Sequence, residues 1–210
     1  MTGLYASDLI VRYGRPDVVA IDMPLAIGPI TTRRAADNAI CAAFAAAQAA
    51  VHDPALMQPG LADRVRADFA TAGYHLAVAG HTAVPALIET YPHPIMMQLC
   101  RSPRRVPYKA GKTRTYWPEL DVMERRDRLR DVWRRIHAAF AERLTVSLPD
   151  LNQVFAHSFA ALKPLEDRLD ALACALAGLA FARGEAVPYG DDFAAIWLPR
   201  GTESYREWAA

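Results

Sequence analysis

Four carboxylates stand where hydrophobic patterning alone would not put them. Asp22 closes the apolar run "VVAI", Glu89 closes "ALI", and Asp167 and Asp170 lie three apart in "PLEDRLDALACALAG" with Glu166 beside them. On a helix that spacing sets both aspartates on one face, a turn apart. Like charges held close repel, and burying them unpaired is costly. A cation between them removes both problems. Hard ions such as Mg²⁺ take carboxylate oxygens, usually one or two per ion, with water and substrate phosphate completing the shell. Three or four carboxylates from two strands and a helix therefore suit Mg²⁺ (or Mn²⁺), singly or as a pair. Such ions activate water and stabilise the leaving oxygen in phosphodiester hydrolysis. The expected metal ligands are Asp22, Asp167 and Asp170, and Glu89 joins them in the expected catalytic set. Each has a plainer alternative: an Asx-turn for Asp22, an arginine partner for Glu89, the helix dipole for Asp167. Asp170 runs into "ALACALAG", which reads as buried, so it needs a partner.

The elements that must position these groups follow from periodicity. Residues 3 to 13, with Leu4, Leu9, Ile10 and Tyr13 ahead of Gly14 and Pro16, form a short amphipathic helix. "DVVAID" is apolar on both faces and reads as an interior parallel strand. Thr31 and Thr32 are candidate caps for a helix over about 33 to 51, "HDPALMQPG" breaks it, and "LADRVRADFATAGYHL" makes another. "VPALIETYPHP" repeats the strand-then-carboxylate pattern. A long helix over about 119 to 143 carries Leu129, Trp133, Ile136 and Phe140 at helical spacing. A last one, about 164 to 183, carries Leu165, Leu169, Leu172, Leu176 and Leu179, with Gly184 closing it. "FAAIWLP" is a final strand. With no internal repeat or linker, residues 1 to 198 form one α/β domain, and 199 to 210 a tail whose end frays.

Between Glu89 and Glu119 there is no acidic residue, while Arg101, Arg104, Arg105, Lys109, Lys112 and Arg114 interleave with Tyr108, Tyr116 and Trp117. The prolines and glycine here imply a loop. It either tracks a phosphate backbone and stacks bases, or is a solvated loop whose arginines pair with Glu119 and Asp121. His93, just past the Glu89 strand, is the histidine best placed for proton transfer. "AGKT" lacks the upstream glycine of a phosphate-binding loop, and no nucleophile elbow surrounds any serine.

Near-equal charge, 24 Lys and Arg against 23 Asp and Glu for a formal +1, leaves no global field pulling the chain to nucleic acid or membrane. Electrostatic recognition must be local. Cys41, Cys100 and Cys174 are odd in number and far apart, without metal-ligand spacing, which fits a reducing cytoplasm. The start has no secretory pattern, and no apolar run reaches the roughly 18 residues of a membrane span.

In order, "VVAIDMPLAIG", "RRAADNAI", "IETYPHP", "YKAGKTR", "EDRLDALACALAGLAFARG" and "IWLP" resemble the domain-of-unknown-function family numbered 429, regarded as predicted ribonuclease-H-like nucleases. The helix motif Asp-x-x-Asp-Ala-Leu-Ala is also similar to that of Holliday-junction resolvases. The resemblance implies a ribonuclease-H-like mixed sheet with flanking helices. It places Asp22 at the end of the fourth strand, with Asp167 and Asp170 as metal-binding acids of the last helix. Arg33, Arg34 and Asp37 match an Arg-x-x-Asp pattern expected near the pocket, with His93, Lys109 and Lys112 as further substrate-binding candidates. Family members usually begin with three antiparallel strands, the first carrying a Gly-Val-Asp-Gly-like motif. Here the chain begins at the following helix, an N-terminally shortened sheet. Either the start lies further upstream, or the exposed edge recruits a strand, for instance in a homodimer. The expected function is metal-dependent hydrolysis of nucleic acid. The alternatives are a catalytically inactive nucleic-acid-binding or scaffold protein lacking the first-strand aspartate, and phosphoryl chemistry on a small metabolite.

Overall fold

The computed structural model describes residues 6–51, 54 and 60–209. Helix α1 (Ala6–Tyr13) turns Leu9 and Ile10 inward and stops at Gly14, whose φ of +86° and N–H to the Ile10 carbonyl (2.9 Å) make it a C-cap. Leu4 lies outside the described residues. Strand β1 (Val18–Ile21) leads to α2 (Ala35–Phe44), extended by a 3-10 turn at Ala45–Ala47. The cap of α2 is not Thr31 or Thr32. Arg34 takes the position, its backbone N–H donating to Asp37 Oδ2 at 2.9 Å, because Asp37 is already held there by the Arg34 side chain. Most of "HDPALMQPG" lies outside the described residues.

Helix α3 (Leu61–Thr71) is followed by a very short β2 (His75–Leu76), β3 (Ala86–Glu89) and α4 (Pro92–Leu99). The basic segment is a loop only as far as Lys109. It then folds into a 3-10 turn (Ala110–Lys112) and α5 (Thr113–Tyr116). Helix α6 (Val122–Ala141) starts at Asp121, whose carboxylate accepts from the Met123 and Glu124 N–H groups at 2.7 and 2.8 Å. After α7 (Leu151–Val154) come α8 (Lys163–Ala182), β4 (Ala186–Gly190), β5 (Ala195–Pro199) and a 3-10 helix (Thr202–Ala209).

The five-stranded mixed sheet runs β1-β3-β5-β4, with β2 beside the first half of β3. β1 pairs in parallel with all of β3, Val18 opposite Ala86 and Ile21 opposite Glu89, while β4 is antiparallel to β5. The expectation of an interior β1 is corrected: among the described residues its only strand partner is β3, so it is an edge. Since β1 and β3 are parallel and in register, Asp22 and Glu89 reach the same end of the sheet.

Leu129, Trp133, Ile136 and Phe140 are fully buried, as their spacing requires. α8 is rotated from its predicted face. Ala173, Ala177 and Phe181 pack inward with Leu165 and Leu169, whereas Leu179 is 43% exposed. Small residues permit close approach to the sheet; a Cβ on Gly178 would stand 3.6 Å from that of Ala20. In the C-terminal segment Tyr205 is buried, with its hydroxyl donating to the Ala43 carbonyl at 3.0 Å.

Candidate functional site

The strand-end carboxylates divide into a sealed cluster and an open one. In the first, Arg34 Nη1 and Nη2 donate to Glu89 Oε2 and Oε1 at 2.5 and 2.7 Å, and Nη2 and Nε donate to Asp37 Oδ1 and Oδ2 at 2.7 and 3.0 Å. Arg34 Nη1 also donates to the Leu25 carbonyl at 2.6 Å, and the Leu25 N–H to Glu89 Oε2 at 2.7 Å. All three charged residues are at most 4% exposed. Burial pushes the Glu89 carboxyl up, to about 7, against the pull of the Arg34 guanidinium and the Leu25 N–H. Burial alone would lower Arg34, but its hydrogen bonds to Glu89 and Asp37 raise it. Three donors on one carboxylate are the geometry of an ionised group.

Arg34 and Asp37, placed near a substrate by the sequence, are thus joined to Glu89 and to each other. With Asp22 and Tyr91 they border a cavity of about 240 Å³. Arg33 lies back along α2, donating to Asn38 Oδ1 at 2.8 Å and Cys41 Sγ at 2.7 Å.

The open cluster is built from β1, α8 and the loop before α5. Asp170 accepts from the Tyr108 hydroxyl and from Lys109 Nζ, each at 2.5 Å. Glu166 accepts from the Ala110 N–H at 2.7 Å and Lys163 Nζ at 3.0 Å, with Lys109 Nζ 3.5 Å away. Asp167, exposed, pairs with Lys163. One oxygen from each of Glu166, Asp167 and Asp170 falls within 4.8 Å of the others. This donor set could hold a divalent cation; two lysine ammonium groups pair with its three carboxylates and leave one negative charge over.

Asp22 stands outside that trio but is coupled to it. Although it is exposed, protein surrounds much of its carboxyl; that lost hydration, then the charge of Asp170, raises its pKa to about 6 against Lys109. The buried thiol of Cys174 is pushed up first by burial, then by both Asp22 and Asp170. The Tyr108 hydroxyl is raised by burial, by Asp170, which accepts its hydrogen bond, and by Asp22.

His93 is only 6% exposed. Burial and the charges of Arg105, Lys109 and Lys112 hold its pKa well below normal, so the ring is neutral. Arg105 Nη2 donates to its Nε2, leaving the proton on Nδ1, which has no partner among the described residues. Through that contact His93 holds the Arg105 side chain. Lys109 points into the acidic cluster, and Lys112 is exposed. Among the described residues none of the loop arginines forms an ion pair with Glu119 or Asp121. The loop is pinned from beneath, the Trp133 indole N–H donating to the Tyr108 carbonyl at 2.9 Å.

Sequence reasoning named Tyr108 and Arg105 only within the basic loop, as stacking and phosphate-tracking groups, and set Glu166 beside the two aspartates without making it a ligand. Glu166 had a signal, being four residues before Asp170 and so on the same helical face; the pairing of Tyr108 with Asp170 had none. All three cysteines are free, and no helix among the described residues is long and apolar enough to cross a membrane.

The architecture and this cluster define a mixed α/β protein whose helix α8 carries a group of carboxylates, paired with lysines, that could take a metal ion. Residues 6–194 match the family described as "Protein of unknown function (DUF429)", and the chain belongs to that family. No curated protein and no solved structure matches it.

Proposed function

We propose that this protein is a ribonuclease-H-like, metal-dependent phosphodiesterase acting on nucleic acid in the cytoplasm. The observation that carries the proposal is the coupling of Asp22 with Asp170. A strand end and a helix bring like charges near each other, and burial first, then the charge of Asp170, raises the Asp22 carboxyl. A divalent ion relieves that repulsion. Asp22 and Asp170 would be its central ligands, with Glu166 and Asp167 completing the acidic wall and Tyr108 fixing the orientation of Asp170. When bound, Mg²⁺ or Mn²⁺ supplies a polarised water and charge stabilisation at phosphorus. Lys109 would then turn from Asp170 to a phosphate oxygen, and Arg105 and Lys112 would extend the positive track along the backbone. Glu89, clasped by Arg34, would hold the strand ends apart and not take part directly.

A second reading, a nucleic-acid-binding protein without catalysis, is favoured by one fact: Lys109 and Lys163 already pair with all three acids of the trio. Labelled single- and double-stranded DNA and RNA, incubated with Mg²⁺ or Mn²⁺, separate the two. Cleavage that falls to background in Asp170→Asn supports the enzyme. Binding that persists in chelator, with no cleavage under any metal, refutes it in favour of the second.

A further inference from the structure

The end of α8 remote from the acidic site helps to enclose a second cavity, of about 470 Å³. Arg183, at its edge, stands thirteen residues beyond Asp170, about 20 Å further along the helix. Ile95, Gln98 and Leu99 of α4 form one wall, and Leu176 and Ala180 of α8 another. The turn after β5 brings Arg200 and Gly201, and Arg143, just past the end of α6, joins Arg183 and Glu185. Three guanidiniums therefore share one space with one carboxylate, an excess of two positive charges.

The protein itself makes no use of that excess. Arg125, Arg126, Arg130, Arg134 and Arg135 of α6 each donate to a carbonyl or a carboxylate. Among the described residues the exposed side chains of Arg143, Arg183 and Arg200 make no hydrogen bond and no ion pair. The attraction of cations to helix C-termini accounts for Arg143 and Arg183 one at a time. It does not account for Arg200, which follows a strand, or for the meeting of all three. The turn that carries Arg200 is also fixed in advance. Its N–H donates to the Glu185 carbonyl at 2.7 Å, and Gln98 Nε2 donates to its carbonyl at 2.9 Å. Gly201 has a φ of +88°, and a Cβ there would stand 3.2 Å from Gln98 Nε2. A turn held in this way loses little entropy when a ligand arrives.

We propose that this cavity binds a small phosphate monoester with an apolar body. Guanidinium forks match phosphate oxygens with paired N–H donors. The excess of two charges matches the dianion of a monoester, whereas a backbone diester carries only one. Ile95, Leu99, Leu176 and Ala180 offer an apolar side for the organic part, and the volume is that of a small-molecule site, larger than a bare ion needs. Because the cavity is separate from Asp22 and Asp170, the inference does not rest on the proposed nuclease activity.

Calorimetric titration of the full chain in chelator, at about pH 8 where a phosphate monoester carries two charges, tests this. The probes are phenyl phosphate, inorganic phosphate and dimethyl phosphate, with circular dichroism to verify folding of each variant. Phenyl phosphate is expected to bind more tightly than inorganic phosphate, and about tenfold or more tighter than dimethyl phosphate. Arg200→Ala, and Arg143→Ala combined with Arg183→Ala, each weaken its binding by about tenfold or more. Glu185→Gln strengthens it, and Asp170→Asn leaves it unchanged. No binding of phenyl phosphate, binding indifferent to Arg200→Ala, or binding lost in Asp170→Asn overturns the proposal. Equal affinity for dimethyl phosphate overturns it in favour of a surface that tracks a nucleic-acid backbone.

Discussion

Glu89 and Asp22 end neighbouring strands one residue apart in register, yet one is sealed and the other open. Glu89 is 3% exposed, and a single arginine and a backbone N–H occupy both its oxygens. Asp22 is solvent-accessible and faces a second carboxylate across a lysine. The same residue class at the same edge thus serves two ends. An acid matched to a guanidinium braces the strand ends, because the fork satisfies two carboxylates at once. An acid left facing another acid keeps a charge imbalance for something else to resolve.

The largest effect expected from this contrast is at Arg34. Arg34→Ala strands two carboxylates in the interior and should cost about 3–5 kcal/mol in chemical denaturation. A loss below about 1 kcal/mol would erase the distinction between the clusters. Next comes Trp133→Phe, which keeps most of the packing but drops the bond to the Tyr108 carbonyl. The expected cost is about 1 kcal/mol, with weakened Mn²⁺ affinity if the loop positions Asp170.

Asp170→Asn sharpens the comparison through pH. The Asp22 carboxyl is raised from 3.8 to about 6, so between those values the folded protein holds a proton that the unfolded chain has released. Its contribution to stability therefore falls as pH rises through that window, while metal affinity rises as Asp22 ionises. Removing the Asp170 charge should lower the Asp22 midpoint in a carbon-detected NMR titration; an unmoved midpoint would separate the two groups. The smallest effect belongs to Asp167→Asn. Its exposed pair with Lys163 should be worth a few tenths of a kcal/mol, about the lower end for surface ion pairs.

Long elements with a strict period were legible. Trp133 and its neighbours on α6 announced their face, although the helix begins after Asp121 and not at about 119 as expected. α4 was missed because Pro92 and Pro94 read as breakers, although the first turn of a helix tolerates them. β4 was missed because Pro188 sits in its middle; at the sheet edge a missing N–H costs no ladder bond. α8 was placed correctly, but its face was read from leucines when the sheet required small side chains. The acids themselves were visible at their strand and helix ends. Their partners were not: Arg34 and Glu89 are 55 positions apart, and Tyr108 and Asp170 are 62 apart. No local pattern encodes a pairing set by the meeting of distant elements.

The most direct test is calorimetric titration of Mn²⁺ at pH 7 into the wild type, Asp22→Asn and Asp167→Asn. If Asp22 and Asp170 share one ion, heat of binding is lost in Asp22→Asn and largely kept in Asp167→Asn, whose side chain lies out on the helix surface. Equal binding by the wild type and Asp22→Asn would contradict the account.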